Sequence, residues 1–182
     1  MVTEPMRRQT PLGAVAEELA RTCAGDLFRC HEDGFRRLAE LRSAPGGEGS
    51  VGELVGGDLP ATGELRLGDT LVLGLGPRWW LLDAPAEVAL PPSTVDVSCV
   101  DVSAQRTPLV LSGPRASDVL AHGCSLDLHP AHFAVGHCAS TLLAKAGVVV
   151  ARTADQEYRV WVRASFARYL AAWVMDASVE YR

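Results

Sequence analysis

The stretch Asp101-Val-Ser-Ala-Gln-Arg-Thr-Pro-Leu-Val-Leu-Ser-Gly-Pro-Arg-Ala-Ser-Asp-Val-Leu-Ala-His-Gly-Cys-Ser-Leu-Asp-Leu128 sets a short apolar strand directly before a short helix. Leu109, Val110 and Leu111 form the apolar end of the strand. Ser112 and Gly113 stand where an N-cap is wanted, and Pro114 fits a first helical turn, where a missing N–H has no intrahelical partner to lose. The helix is therefore expected to begin near Pro114 with Ser112 as its own cap. Ala116, Val119 and Leu120 make its apolar stripe, and Gly123 is placed to end it in a left-handed conformation just after His122.

Downstream, residues 127–136 read as a loop around Pro130, and residues 139–145 and 147–152 as strands. Ala154-Asp155-Gln156 suits a hairpin tip. Residues 157–162 alternate as a strand with Tyr158, Val160 and Val162 on one face. Ser165 then caps a last helix in which Phe166, Leu170, Trp173, Val174 and Ala177 recur at helical spacing. The carboxy-terminal half is thus β-α-β-β-β-α. Upstream, residues 95–102 alternate as a strand with one wet face, after a loop at 84–94 that holds Pro85, Pro91 and Pro92. Residues 71–75 and 79–82 form two apolar strands turned at 74–78. Residues 14–23 are expected as a helix, with Val15, Leu19 and Cys23 on one side and Gly25 as its stop. The spacing of Phe35, Leu38 and Leu41 predicts a second helix over 33–42. Residues 43–63 are Gly-rich and read as an insertion loop, and residues 1–13 as a mobile or partner-held arm. The sequence shows no internal repeat.

A chain of 182 residues suits one α+β domain spanning 1–182, and 48% hydrophobic with 21% charged residues is the balance of a folded globular protein. The net charge of −5 argues against nucleic acid, because phosphate binding needs clustered Lys and Arg. Five scattered cysteines, an odd number, point to reduced thiols and a cytoplasmic location. The Arg7-Arg8 pair is followed by Pro11 and acids rather than the apolar core of an export signal. No run of about 18 apolar residues occurs, so no membrane-spanning helix is expected.

Several groups invite a chemical reading. Cys124, His129, His132, His137 and Cys138 are zinc-ligand types within one loop region, but their spacing lacks a Cys-x-x-Cys and the two-histidine pair straddles a proline. Ser112, Gly113 and Arg115 would receive an anion at the helix start, although capping alone accounts for Ser112. Cys138 as a nucleophile is poorly served by His137, because neighbours on a strand point to opposite faces. Gly74 and Gly76 begin a G-x-G pattern whose third glycine is replaced by Trp79, so no dinucleotide loop is expected. Trp79, Trp80, Trp161 and Trp173 suit core or interface anchors better than cofactor stacking. No residue is assigned a catalytic, cofactor-binding or metal role.

The run 101–116, followed by Gly-Cys-Ser-Leu-Asp-Leu-His-Pro, Thr-Leu-Leu-Ala-Lys-Ala and Val-Arg-Ala-Ser-Phe-Ala-Arg-Tyr-Leu-Ala-Ala-Trp, resembles the gamma subunit of heterotetrameric sarcosine oxidase, in order, from about Leu73 to Val179. The strand, Ser-Gly-Pro and helix resemble, more distantly, the folate-binding aminomethyltransferase fold of the glycine cleavage T protein. The resemblance implies an accessory, non-catalytic subunit. Its assembly would convert sarcosine to glycine, pass electrons through flavin to oxygen as hydrogen peroxide, and hand the one-carbon unit to tetrahydrofolate as 5,10-methylenetetrahydrofolate. It also implies alpha, beta and delta partners, with FAD, FMN, NAD and tetrahydrofolate on alpha and beta, zinc on delta, and no cofactor on this chain. Ala104 departs from the family pattern, which has a polar residue such as His there. The rival readings are a stand-alone folate-binding aminomethyltransferase-like protein and a scaffold subunit of another amine-oxidising complex.

Overall fold

The computed structural model describes residues 9–181. Among them, two five-stranded sheets form, with every neighbouring pair antiparallel. The first sheet runs β1 (Arg29–Glu32), β7 (Arg106–Ser112), β10 (Glu157–Arg163), β9 (Ala146–Ala154), β8 (Cys138–Leu143). The second runs β3 (Leu65–Arg66), β4 (Leu71–Gly76), β5 (Trp79–Pro85), β2 (Arg36–Ser43), β6 (Val97–Asp101).

Three apolar clusters turn these sheets into layers. Leu38, Leu73, Leu81, Val149 and Trp161 meet between the sheets, so the two pack face to face. On the outer side of the first sheet, Leu109, Leu111, Val150 and Val160 pack with residues of α1 (Val15–Thr22), α3 (Ala116–Ala121) and α4 (Ala167–Ala177). On the outer side of the second, Ala39, Leu41 and Leu82 pack with Val51 of α2 (Glu48–Leu54). The result is an α/β/β/α stack in the α+β class. Strands covered on both faces need no polar alternation, which is why β4 and the middle of β9 read as continuous apolar runs.

The topology is a repeat that the sequence conceals. β2-α2-β3-β4-β5 gives the sheet order 3-4-5-2, and β7-α3-β8-β9-β10 gives 8-9-10-7. The registers agree as well: Arg36 faces Pro85 and Arg42 faces Trp79 in one, while Arg106 faces Arg163 and Ser112 faces Glu157 in the other. Each unit begins with a strand that it lends to the other: β1 pairs with β7, and β6 pairs with β2. In this correspondence Arg36 matches Arg106, and Asp83 matches Trp161.

Asp83 and Trp161 meet at the centre. Both are fully buried, and Trp161 Nε1 donates to Asp83 Oδ2 at 2.7 Å. Arg36 Nε donates to Asp83 Oδ1 at 2.6 Å, and Arg159 Nη1 lies 3.6 Å from Oδ2 and 2.7 Å from Asp33 Oδ2. Burial pushes the Asp83 carboxyl upward, and the bonds from Arg36 and Trp161 with the nearby Arg159 charge oppose that.

Several expectations are corrected. Residues 33–42 hold the strand β2 rather than a helix, because Leu38 enters the inter-sheet core while Ala39 and Leu41 face α2, and burial on both faces imitates helical spacing. The Gly-rich 43–63 segment contains α2, where anchoring by Val51 and Leu54 outweighs the helix cost of Gly49 and Gly52. Ser112 does not cap α3: it ends β7, paired with Arg29 and Glu157, and the helix starts at Ala116 with no side-chain cap bond. Ser165 likewise makes no cap bond and lies in a 3-10 turn, Ala164–Phe166, before α4. Gly123 is not left-handed. It is required because a Cβ there would lie 2.6 Å from Trp173 Cζ2 and 2.9 Å from the Ala144 nitrogen. Of the expected 1–13 arm, residues 1–8 lie outside the described residues, whereas Leu12 is fully buried in the helix-side core and the Pro11 carbonyl accepts from Arg168 Nε.

Two outcomes are expected in urea unfolding of single variants. Gly123→Ala should lose about 1–3 kcal/mol by overpacking against Trp173, while Gly147→Ala, with nothing within 4 Å of its added Cβ, should stay within about 0.5 kcal/mol of wild type. Trp161→Phe should lose about 2–3 kcal/mol, since it strips a donor from a buried carboxylate.

Candidate functional site

The chain passes between the two sheets twice, and the two crossings lie side by side. Asp33, Gly34 and Phe35 carry it from β1 to β2, with Gly34 at φ +58°, a left-handed value that glycine adopts without strain. Residues 102–105 carry it back from β6 to β7. The second crossing is tied to β2, just beyond the first: the Val102 N–H donates to the Leu38 carbonyl at 2.9 Å, and Ser103 Oγ accepts the Leu38 N–H at 2.9 Å. Asp101 in turn accepts the Ser103 N–H at 2.8 Å, and hydrogen bonds from Ser103 hold its carboxyl below the usual range. The Asp-Val-Ser at the head of the opening stretch is therefore a clamp between the two repeats.

Beneath this clamp lies a cleft of about 210 Å³, reached by Thr10 and Pro11 from the amino-terminal segment. Glu32, Phe35, Arg36, Ala104, Arg106 and Thr107 line it, so both crossings contribute. The two equivalent arginines differ in their surroundings. Arg36 is engaged by Asp83, as above, and lies 3.6 Å from Asp33. Among the described residues, the Arg106 guanidinium bonds Glu40 Oε1 alone, from Nη2 at 3.4 Å. Burial raises the Glu32 carboxyl, against a hydrogen bond with Thr10. Ala104 adds only a methyl group to this lining.

The residues singled out from sequence are dispersed. Cys138 Sγ donates to the Glu64 carbonyl at 3.2 Å, and burial pushes its thiol up to about 12, so no nucleophilic thiolate forms near neutrality. His132 Nδ1 is 2.5 Å from Asp127 Oδ2 at the exposed surface, and the His129 N–H donates to Asp127 Oδ1. Those bonds, the His129 N–H first, lower the Asp127 carboxyl. Cys124 lies apart from them, its N–H on the Leu120 carbonyl at the end of α3. Among the described residues, no three His, Cys, Asp or Glu side chains are grouped to hold a metal ion.

Gly113 has φ +113°, and a Cβ there would sit 2.5 Å from the Leu27 carbonyl. The Arg115 N–H donates to that carbonyl, while the Arg115 guanidinium pairs with Asp118 at 2.9 Å, so these groups are spent on the fold. Gly74 lets β4 pass the Ala61 carbonyl, which would stand 2.1 Å from an added Cβ. Trp80 Nε1 donates to the Pro60 carbonyl, Trp79 lies under Arg42, and Trp173 packs beside the helix-side core.

Sequence reasoning passed over Asp83, Arg36, Arg106 and Arg159. The available signal was Asp83 itself, an acid closing the apolar run Trp-Trp-Leu-Leu. A carboxylate in such a strand must find a buried cation or donor.

Comparison with known proteins bears on this architecture directly. The model of the sarcosine oxidase gamma subunit family matches residues 48–180. The chain is 34% identical to the sarcosine oxidase subunit gamma of Corynebacterium sp. (strain U-96), covering 100% of this chain and 95% of the relative. It is also 34% identical to the corresponding subunit of Corynebacterium sp. (strain P-1), over 96% and 91%. A chain of the heterotetrameric sarcosine oxidase from Corynebacterium sp. U-96, solved in complex with pyrrole 2-carboxylate, superposes with a TM-score of 0.86 at 32% identity, over 96% of both chains. The aminomethyltransferase T of the glycine cleavage system from Bartonella henselae shares the fold, with a TM-score of 0.60 at 17% identity, over 92% of this chain and 50% of that one. No helix among the described residues is long and apolar enough to cross a membrane. With matches of this extent, the chain belongs to the sarcosine oxidase gamma subunit family.

Proposed function

We propose that the chain is the accessory subunit of a heterotetrameric sarcosine oxidase, assembled with alpha, beta and delta subunits in the cytoplasm. The assembly oxidatively demethylates sarcosine to glycine and yields hydrogen peroxide and 5,10-methylenetetrahydrofolate. FAD, FMN, NAD and tetrahydrofolate are assigned to alpha and beta, and zinc to delta. This chain contributes surface and stability, and no catalytic residue is assigned to it.

The observation that carries this reading is the end-to-end likeness to subunit gamma of Corynebacterium sp. (strain U-96), across 100% of this chain and 95% of the relative. The state of the chemistry-bearing groups supports the accessory role. The Cys138 thiol stays protonated, both oxygens of Asp83 are engaged, and Ala104 supplies no titratable group beside the cleft.

Co-expression with the partner subunits is expected to yield one stable complex carrying this chain with bound flavin. A monodisperse chain that never co-purifies with flavin-bearing subunits would overturn the reading. In the assembled enzyme, Cys138→Ser should leave kcat within about twofold of wild type, whereas removing a nucleophile costs orders of magnitude.

A further inference from the structure

The end of the sheet pair where β7 begins and β10 finishes carries more positive charge than its own carboxylates balance. Arg106 and Arg163 are direct partners in the β7–β10 ladder. Both stand on the face turned to the second sheet: Arg106 bonds Glu40 on β2, and Arg163 shares the face of Trp161, two residues before it. Like charges directly opposite on neighbouring strands repel. Glu40 cannot neutralise both, because it is also shared with Arg42, whose Nη2 lies 3.9 Å from Glu40 Oε2. Arg42 in turn lies over the Trp79 ring at 4.5 Å. Arg78, exposed and next to Trp79 in the chain, adds a further guanidinium at this end. Among the described residues, neither Arg78 nor Arg163 pairs with a carboxylate. Arginines gathered around Glu40 in this way stand out in a chain whose net charge is −5.

Side chains held like this cost the free chain stability and attract negative charge to it. The Arg42 side chain is 58% exposed and Arg163 is exposed too, so both guanidiniums are open to an approaching surface. The arginines stand on β2, β7, β10 and the turn before β5, and a row of carboxylates on one polypeptide meets them together. Phe166 and Tyr169, which follow Arg163 in the chain, are 42% and 40% exposed and pack edge to face. Arginine beside exposed aromatic rings is the composition enriched in protein interfaces. We propose that this arginine patch docks an acidic segment of a flavin-bearing partner subunit, with its carboxylates on Arg42 and Arg163. The proposal rests on the accessory role given above, and adds the face that docks and the charge of the segment that meets it. Carboxylates brought to Arg163 relieve its repulsion with Arg106, so docking also stabilises this chain.

The test uses the complex assembled by co-expression with the partner subunits. It is diluted in steps, and the fraction of flavin-bearing particles that retain this chain is counted by mass photometry. Arg163→Glu is expected to raise the apparent dissociation constant by about 100-fold, since it sets like charges across the interface. Arg29→Glu reverses an arginine that is 61% exposed at the other end of β7, opposite Ser112, and should leave the constant within about twofold. Folding is separated from docking in the full-length chain alone: Arg163→Gln removes the repulsion with Arg106, so its urea midpoint should hold or rise while the complex still weakens. If Arg163→Glu does not fold, Arg163→Gln and Arg42→Gln carry the comparison. In Arg163→Lys, which keeps the charge, a carbodiimide should join the introduced amine to an aspartate or glutamate of a flavin-bearing subunit, located by peptide mapping. Undiminished retention of a folded Arg163→Glu, or no carbodiimide link to a flavin-bearing subunit, overturns the proposal and leaves the accessory role in place. A wild-type chain that never joins flavin-bearing subunits overturns both.

Discussion

A carboxylate buried between two sheets is the constraint around which the molecule is arranged. Asp83 has no exposed surface, so each of its oxygens must be met inside the protein. Arg36 meets one and Trp161 the other, and Trp161 arrives from the opposite sheet. An apolar pair at this place would hold the sheets together without fixing how they slide. The Trp161 bond has one geometry, and it sets the alignment of β5 against β10 on which the facing clusters of Leu38, Leu73, Val149 and their neighbours depend.

That alignment also determines where the two crossings lie. With β2 and β7 held in matching register against β5 and β10, the segments that enter them come together, and Asp101 and Ser103 fasten the second of them to β2. The opening stretch of sequence is thus two devices in succession. Its head ties the end of β6 to β2, and its Ser-Gly-Pro joint lets the chain turn past the Leu27 carbonyl at Gly113 into α3. The cleft beneath the clamp is lined by Arg36 and Arg106 at the strand heads.

What could be read from the chain follows the same physics. The hairpins of β4 with β5 and of β9 with β10 were legible because apolar runs flanked short turns, and α4 because its stripe recurs at helical spacing. β2 was misread because Leu38 and Leu41 are buried on opposite sides, a pattern that periodicity assigns to a helix. α2 was hidden by its glycines and is held by Val51 from outside its own sequence preferences. The repeat was invisible because register and connection were kept while side chains diverged, with Asp83 and Trp161 at one equivalent position. The arginines of the cleft could not be found from spacing at all, since their significance lies in partners on other strands.

The reciprocal loan of β1 and β6 has a consequence for how the chain becomes folded. Arg29 must find Ser112, and Ser43 must find Val97, before either sheet has its fifth strand. Neither half can complete its sheet alone, so the two repeats are one cooperative unit despite their separate helices. Contacts this distant in sequence require large loops to close before they contribute, which slows folding relative to a protein of local hairpins. A chain cut in the Pro-rich connection between β5 and β6 would yield two pieces, each holding a strand that belongs to the other, and their natural route back to order is to find one another.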